Sequence, residues 1–267
     1  MNYYLTVSAV KRHLGISSSD DDAALAEYIE AASREVDAFC RRYFYTASET
    51  RLIEPQSGTM ADIDDLLTIV TAELIDPEDS SVAAVEYAAA QYQLQPLNNY
   101  PKLRLKLHST APQAWVAGTA SLRIEGVWGY GDGTDDPWLA QSLTGTVAST
   151  TGTALTISVS AGLERGQTIK VGSEQMFVSS VATTTATVRR GVNGTTAATH
   201  SAAAISLAQY PAQIKQACRE LVSMAINRRA MAGQNNEAVD GYSVGMASEE
   251  QAVLMLIRVC GDHPRGS

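Results

Sequence analysis

Apolar and polar positions along the chain repeat with a helical period near both ends and with a strand period in between. Residues 19–42, SDDDAALAEYIEAASREVDAFCRR, carry apolar side chains at spacings of three and four, with acidic residues at the start and two arginines at the end. This pattern predicts an amphipathic helix with one buried stripe. A short helix is predicted to start at a cap supplied by Thr6 or Ser8 and to end at Gly15. A third helix is predicted to start at Pro211 and to end at Gly233.

Between these helices the pattern is that of strands. Residues 66–74, 102–108 and 119–130 are rich in β-branched residues or alternate between apolar and polar side chains, which predicts a small antiparallel sheet. A second strand-like region runs from residue 142 to about 207 and opens with the uncharged stretch SLTGTVASTTGTALTISVS. Thr, Ser and Gly interrupt this stretch too often for a membrane span. Its alternation indicates strands joined by tight turns, with Asn193-Gly194 as a strong turn signal.

The helical and the strand-like patterns together define the predicted fold class. We predict an α+β protein in which a mainly α-helical core with a small antiparallel sheet is interrupted by an inserted all-β module. The core is assigned to residues 1–141 and 209–267, and the inserted β-rich domain to residues 142–208. Charge supports this division, because the module carries a net charge of +2 and the remaining residues carry −11. An exposed loop of the core is the site that best tolerates such an insertion.

The acidity of the chain limits the classes of partner it can have. Lys and Arg total 20 against 29 Asp and Glu, a net charge of −9. Conventional nucleic-acid binders show a basic patch or stripe, so this balance argues against one. The charge is compatible with a protein that surrounds DNA without binding it tightly. A role of the charge in solubility alone explains it equally well.

No constellation of residues in the sequence indicates catalysis. The four histidines have no second metal ligand at helical spacing, and each is interpreted as a surface residue. Residues 129–136, GYGDGTDD, match neither a phosphate-binding loop nor a complete calcium loop and are interpreted as a polar connection. Residues 62–65, DIDD, are interpreted as a solvated hairpin end. The three cysteines lie in apolar patterns and are interpreted as reduced core residues. We therefore predict no enzyme activity, no cofactor and no metal site.

The order of the predicted elements resembles a known family. Six segments carry this resemblance: TVSAVKRHLGI, DDAALAEYIEAASREVDAFCRRYF, IDDLLTIVTAELID, YPKLRLKL, LRIEGVWGY and PAQIKQACRELVSMAINRRA. In this order they resemble the head-to-tail connector proteins, also called adaptor or head-completion proteins, of long-tailed bacteriophages. The resemblance covers residues 1–140 and 209–260. The module is similar to small β domains of phage structural proteins, but the minimal connector lacks it.

The resemblance implies a structural role in the virion neck. It implies a homo-oligomeric ring, generally a dodecamer, that docks on the portal protein and offers its far side to a downstream neck or tail-completion protein. DNA would pass through an acidic channel without specific binding, because a ring of acidic subunits repels phosphate. Assembly would take place in the host cytoplasm, and no membrane is involved. The role of the inserted module is left open by the resemblance.

The segment EEQAVLMLIRVCG, residues 249–261, places an apolar run near the chain end. Such a segment is expected to bury itself on its own domain or on a partner. By resemblance, connector C-termini reach toward the portal, sometimes as an added strand. The predicted portal-contacting residues are Val253, Leu254, Leu256, Ile257 and Val259.

An alternative function is a surface protein, adhesin-like, whose Thr- and Ser-rich module binds carbohydrate. Sugar-binding sites usually offer stacking aromatic rings, and Phe177 is the only aromatic residue in 142–208. A hydrolase that uses the Asp-rich loops is the weakest of the three interpretations.

Overall fold

The structure is a computed structural model that describes residues 2–79, 81–159 and 162–231. Contacts divide the chain into two compact units. The first unit takes in residues 1–41, 139–190 and 197–267, and the second takes in residues 42–138 and 191–196. The first unit contains helices and a barrel, and the second contains an open sheet.

The helices of the first unit begin and end close to the predicted signals. They are α1 Val7–Leu14, α2 Asp22–Cys40 and α3 Ala212–Met231. Thr6 caps α1 by accepting a hydrogen bond from the amide of Ala9, and Gly15 ends it at φ +68°. α2 packs against α3, and α1 contacts both helices. The three predicted helices are therefore confirmed.

The second unit is built around a six-stranded antiparallel sheet. Its strands are β1 Ala47–Ile53, β2 Met60–Leu74, β3 Val85–Glu86, β4 Tyr92–Gln95, β5 Lys102–Leu107 and β6 Leu122–Trp128. The strand order is β1-β6-β2-β5-β4, and β3 pairs with the end of β2. One face of the sheet buries an apolar core that includes Leu66, Leu105, Leu122, Ile124 and Trp128. The opposite face of the central strands carries charged side chains.

The β-rich module forms a closed six-stranded barrel. Its strands are β7 Trp138–Val147, β8 Ala154–Ile157, β9 Thr168–Val171, β10 Glu174–Ala182, β11 Thr185–Arg189 and β12 His200–Ala208. The strands close in the order β10-β11-β8-β7-β12-β9. Apolar side chains such as Leu155, Ile169, Met176 and Ile205 fill the interior. The interior of the barrel is therefore an apolar core.

The predicted fold class is wrong in its proportions. Over the described residues the chain has three α-helices, a six-stranded open sheet and a six-stranded barrel, so strand exceeds helix. The physical reason lies in β1, β3, β4 and the first half of β2. In β1 and the start of β2, charged side chains such as Arg51 and Asp62 alternate with apolar ones and face outward. Their sequences therefore resemble polar connections. In the structure they are strands, because the backbone of β1 pairs with β6 and that of β2 pairs with β5.

The cysteines differ from one another. Cys218 on α3 is fully buried and free, and its burial raises the pKa of its thiol to about 12. Cys40 at the end of α2 is half-buried and takes part in a disulfide bond, so its interpretation as a reduced core residue is wrong. Cys260 lies outside the described residues.

Candidate assembly surfaces

The predicted portal-contacting residues cannot be placed. Val253, Leu254, Leu256, Ile257 and Val259 all lie outside the described residues, which end at Met231. Their assignment stays a prediction, and the surfaces described below belong to residues 2–231.

Almost all of the net negative charge belongs to the second unit. This unit contains 6 of the 20 Lys and Arg residues and 14 of the 29 Asp and Glu residues, so it carries −8 of the chain's −9. The described residues of the first unit contain 12 Lys and Arg and 10 Asp and Glu. The protein is therefore electrically asymmetric, with one strongly acidic unit and one that is close to neutral.

Arginines on the sheet neutralise the acidic residues of its charged face. Arg51 pairs with Glu49 and Asp64 at 2.8 and 3.0 Å, Arg104 with Asp62 at 2.6 Å, and Arg123 with Glu73. Each pair is partly exposed, so each stabilises the fold by less than about 1 kcal/mol. Their main effect is to leave the middle of this face nearly neutral.

The surplus carboxylates of the second unit lie mainly in two loops. One loop, residues 75–84 between β2 and β3, contains Asp76, Glu78 and Asp79, and the other connects β6 to β7 and contains Asp132, Asp135 and Asp136. The side chain of Asp76 accepts hydrogen bonds from the amides of Glu78 and Asp79 at 2.9 and 3.2 Å. Hydrogen bonds from Ser81 lower the pKa of Asp79, so this carboxylate stays ionised to lower pH. The β2–β3 loop is thus a folded turn that holds a local negative charge.

A cavity of about 610 Å³ opens beside this loop, and we call it the loop groove. Its lining comes entirely from the second unit and includes Leu74, Asp76, Glu78, Val82, Val85 and Val116. Val82 and Val116 are each 53% exposed. The lining contains Asp76 and Glu78 but no Lys or Arg. The lining of the loop groove therefore combines apolar side chains with two carboxylates.

A buried ionic cluster ties the barrel strands together. Glu174 is fully buried and accepts hydrogen bonds from Arg190 at 2.6 and 2.8 Å and from the amide of Ala198 at 3.0 Å, and it contacts Nε2 of His200 at 2.9 Å. Arg190 also donates to the carbonyls of Ser149 and Gly152 at 3.0 and 2.8 Å. One carboxylate thereby connects the start of β10, the end of β11 and the start of β12. We call these three residues the barrel cluster.

The N-terminal segment joins the barrel to the helices within the first unit. Thr168 of the barrel donates to the side chain of Asn2 at 3.0 Å, and the rings of Phe177 and Tyr3 meet edge to face at 5.0 Å. On the other side, the amide of Tyr4 donates to Ser33 of α2 at 3.1 Å, and its hydroxyl donates to Asp37. The barrel is therefore packed against the body of its own unit. Because Phe177 is buried, it offers no exposed ring to a sugar.

Sequence reasoning missed three features of these surfaces. DIDD was interpreted as a solvated hairpin end, whereas these residues lie inside β2, with Asp62 paired to Arg104 and Asp65 buried beside Arg42 at 3.4 Å. His200 was interpreted as a surface residue in a loop but begins β12 in the barrel cluster. No sequence motif indicates the loop groove, whose lining residues come from separate parts of the chain. The Asn193-Gly194 turn is confirmed, because the amide of Thr195 donates to the carbonyl of Val192 and both central residues have positive φ.

No group of three or more His, Cys, Asp or Glu residues within 2–79, 81–159 and 162–231 is placed to hold a metal ion. None of the described helices is both long enough and apolar enough to cross a bilayer.

Comparisons with known proteins give one family and one solved structure. Residues 4–94 match the family model described as "Phage gp6-like head-tail connector protein", which confirms the resemblance over α1, α2 and the strands up to β4. A chain in a solved structure described as "Neck of empty GTA particle computed with C6 symmetry" is 19% identical, with a TM-score of 0.32. That match covers 48% of this chain and 65% of the other, so this chain spans less than two thirds of its length. A TM-score this low establishes no shared fold. No curated protein matches the chain.

Proposed function

We propose, from the match of residues 4–94 to the phage gp6-like head-tail connector family, that this protein forms a ring in the virion neck between portal and tail. In this role the protein is structural and carries out no reaction. The ring, which the family resemblance suggests has twelve subunits, would dock on the portal protein and present its other side to a downstream neck or tail-completion protein.

The charge distribution supports the role of a DNA passage. A channel for packaged DNA must let a polyanion slide, and clusters of Lys and Arg along its wall would hold the phosphates. The second unit carries a net charge of −8, and its sheet arginines are engaged with neighbouring carboxylates. Repeated around a ring, such units would repel DNA from the wall.

The experiment that tests this function is to mix the full chain with the portal protein of the same phage-like particle. We expect annular particles in negative-stain images, together with a mass increase by mass photometry that corresponds to many copies of the chain per portal. The chain without portal is the control for self-association. Failure to bind the portal at any ratio of the two proteins would contradict the proposal.

We also propose that the barrel is an insertion into the connector core, with the boundaries 1–141, 142–208 and 209–267. The first and last barrel strands, β7 and β12, are neighbours in the barrel, so the chain enters and leaves the barrel side by side. Such an arrangement lets a domain be added through one loop of a host without rearranging it.

Deletion of residues 143–207, with a short Gly-Ser linker in their place, is expected to leave a folded host. The deletion removes Thr168 and Phe177, which contact Asn2 and Tyr3, so the host should melt at a lower temperature but keep its helical circular dichroism. Replacing Tyr3 with serine in the deleted chain serves as a control for exposed apolar surface. If the deleted chain is insoluble both with Tyr3 and with serine in its place, the barrel is an integral part of the core.

A further inference from the structure

We propose that the loop groove is the surface on which the first unit of a second copy of this chain docks. The inference rests on the proposed ring and deepens it, because it assigns one side of the contact between neighbouring subunits. A ring of identical subunits needs two different complementary surfaces on each copy, since the contact is head to tail.

The apolar part of the loop groove is suited to a protein partner. Val82 and Val116 are both about half exposed, and they border a cavity of about 610 Å³ with Leu74 and Val85 in its wall. The cavity has room for several side chains. Exposed apolar side chains gathered at one concave place usually mark an interaction site, whereas isolated ones need no explanation. Val70, which is 65% exposed on β2, does not line the cavity.

The charged part of the loop groove favours a cationic or neutral partner. Asp76 is engaged with the amides of its own turn, and Asp79 with Ser81. Glu78 lines the cavity, and among the described residues its carboxylate has neither a hydrogen bond nor an ion pair. An approaching surface with a negative charge of its own would be repelled by these carboxylates.

Charge then decides which part of a second copy fits. If the second units of two copies were in contact, two net charges of −8 would repel each other, which disfavours that pairing. The first unit contains the remaining 14 Lys and Arg and 15 Asp and Glu, so it is almost neutral and does not repel the carboxylates of the loop groove as another second unit would. The complementary surface for the loop groove is therefore the first unit of the neighbouring subunit.

Portal-seeded assembly of matched variants tests this inference. We expect that the double variant Val82→Ser, Val116→Ser and the variant Glu78→Lys each need about tenfold more chain than the wild type for half-complete rings, measured by mass photometry. Val70→Ser is the matched control for loss of an exposed valine, and Glu125→Lys is the control for the same charge change on the exposed face of β6. Both controls should stay within about twofold of the wild type.

A photo-crosslinking residue at position 82 identifies the occupant. In rings made from a mixture of ¹⁵N-labelled and unlabelled full-length chain, mixed-isotope cross-links should reach the first unit of another copy, residues 1–41, 139–190 or 197–267. Cross-links to the portal or to residues 42–138 of another copy would overturn the inference. So would rings that form normally with the groove variants, although the proposed function would then stand. If the wild type forms no rings, the proposed function fails and this inference fails with it.

Discussion

Replacing Glu174 with glutamine is expected to destabilise the barrel by about 3–5 kcal/mol. Glu174 is fully buried, and the guanidinium of Arg190 beside it is only 7% exposed. The amide retains the shape of the carboxylate but removes the charge that compensates Arg190. Its NH2 group would also face donors from Arg190, Ala198 and His200, so at least one buried donor would lose its acceptor.

The measurement is urea unfolding of the full chain, followed by circular dichroism and by hydrogen exchange at the amide of Ala198. The matched control is Asp62→Asn, which makes the same chemical change in a pair with Arg104 whose side chains are 43% and 45% exposed. That control should cost less than about 1 kcal/mol. Equal losses for the two variants would show that the barrel cluster does not hold the barrel together.

Replacing Gly194 with alanine is expected to destabilise the second unit by more than about 2 kcal/mol, or to lift the 192–195 turn away from β1. Gly194 has φ +77°, and a Cβ added there would lie 2.0 Å from the carbonyl oxygen of Ser48. The turn is held at this edge of the sheet, because the amide of Ser48 donates to the carbonyl of Asn193 at 2.8 Å. Backbone atoms cannot move aside as a side-chain tip can, so the contact and the strained φ both oppose the methyl group.

Hydrogen exchange at the amide of Ser48, together with the unfolding free energy, measures this effect. Gly118→Ala is the matched control, since Gly118 has φ +73° in the same unit but has no atom within 4 Å of an added Cβ. The control should cost only the conformational strain, about 1–2 kcal/mol. If Gly194→Ala behaves like Gly118→Ala, the turn does not depend on close contact with β1.

The helices could be predicted from the sequence because their signals are local. Thr6, Gly15 and the acidic start of α2 act within one or two turns of the residues that they order. The strands of the second unit were harder to predict. β2 is 15 residues long, and its first half contains three aspartates that are typical of a loop. Their partners come from other parts of the chain: Asp62 pairs with Arg104, Asp64 with Arg51 and Asp65 with Arg42. Pairing over such distances decides the proportion of strand, and no local pattern contains it.

The barrel cluster shows the same limit at the level of single residues. Arg190 lies 16 residues after Glu174 along the chain, and His200 lies 26 residues after it. Taken alone, each of the three is an ordinary polar residue. One signal was available, because Glu174 begins the otherwise uncharged run EQMFV in a module with few charges. A carboxylate in a buried strand requires a cation nearby, and Arg190 was one of four available in the module.

The surfaces for assembly depend on tertiary structure still more strongly. Val82 and Val116 come from different connections, and only the fold of the second unit brings them to one cavity. The asymmetry of charge between the units likewise follows from the division of the chain after residues 41 and 138. The boundaries predicted from the sequence, after residues 141 and 208, divide the chain differently. The family resemblance could be predicted because it depends on the order of elements, and the match over residues 4–94 confirms it.

A cryo-electron microscopy reconstruction of the full chain bound to its portal tests the central claim most directly. We predict a closed ring of this chain, coaxial with the portal, around an open channel wide enough for duplex DNA. Separate copies bound off the axis, or a ring whose centre is closed by the barrels, would contradict the account of this protein as a passage for DNA.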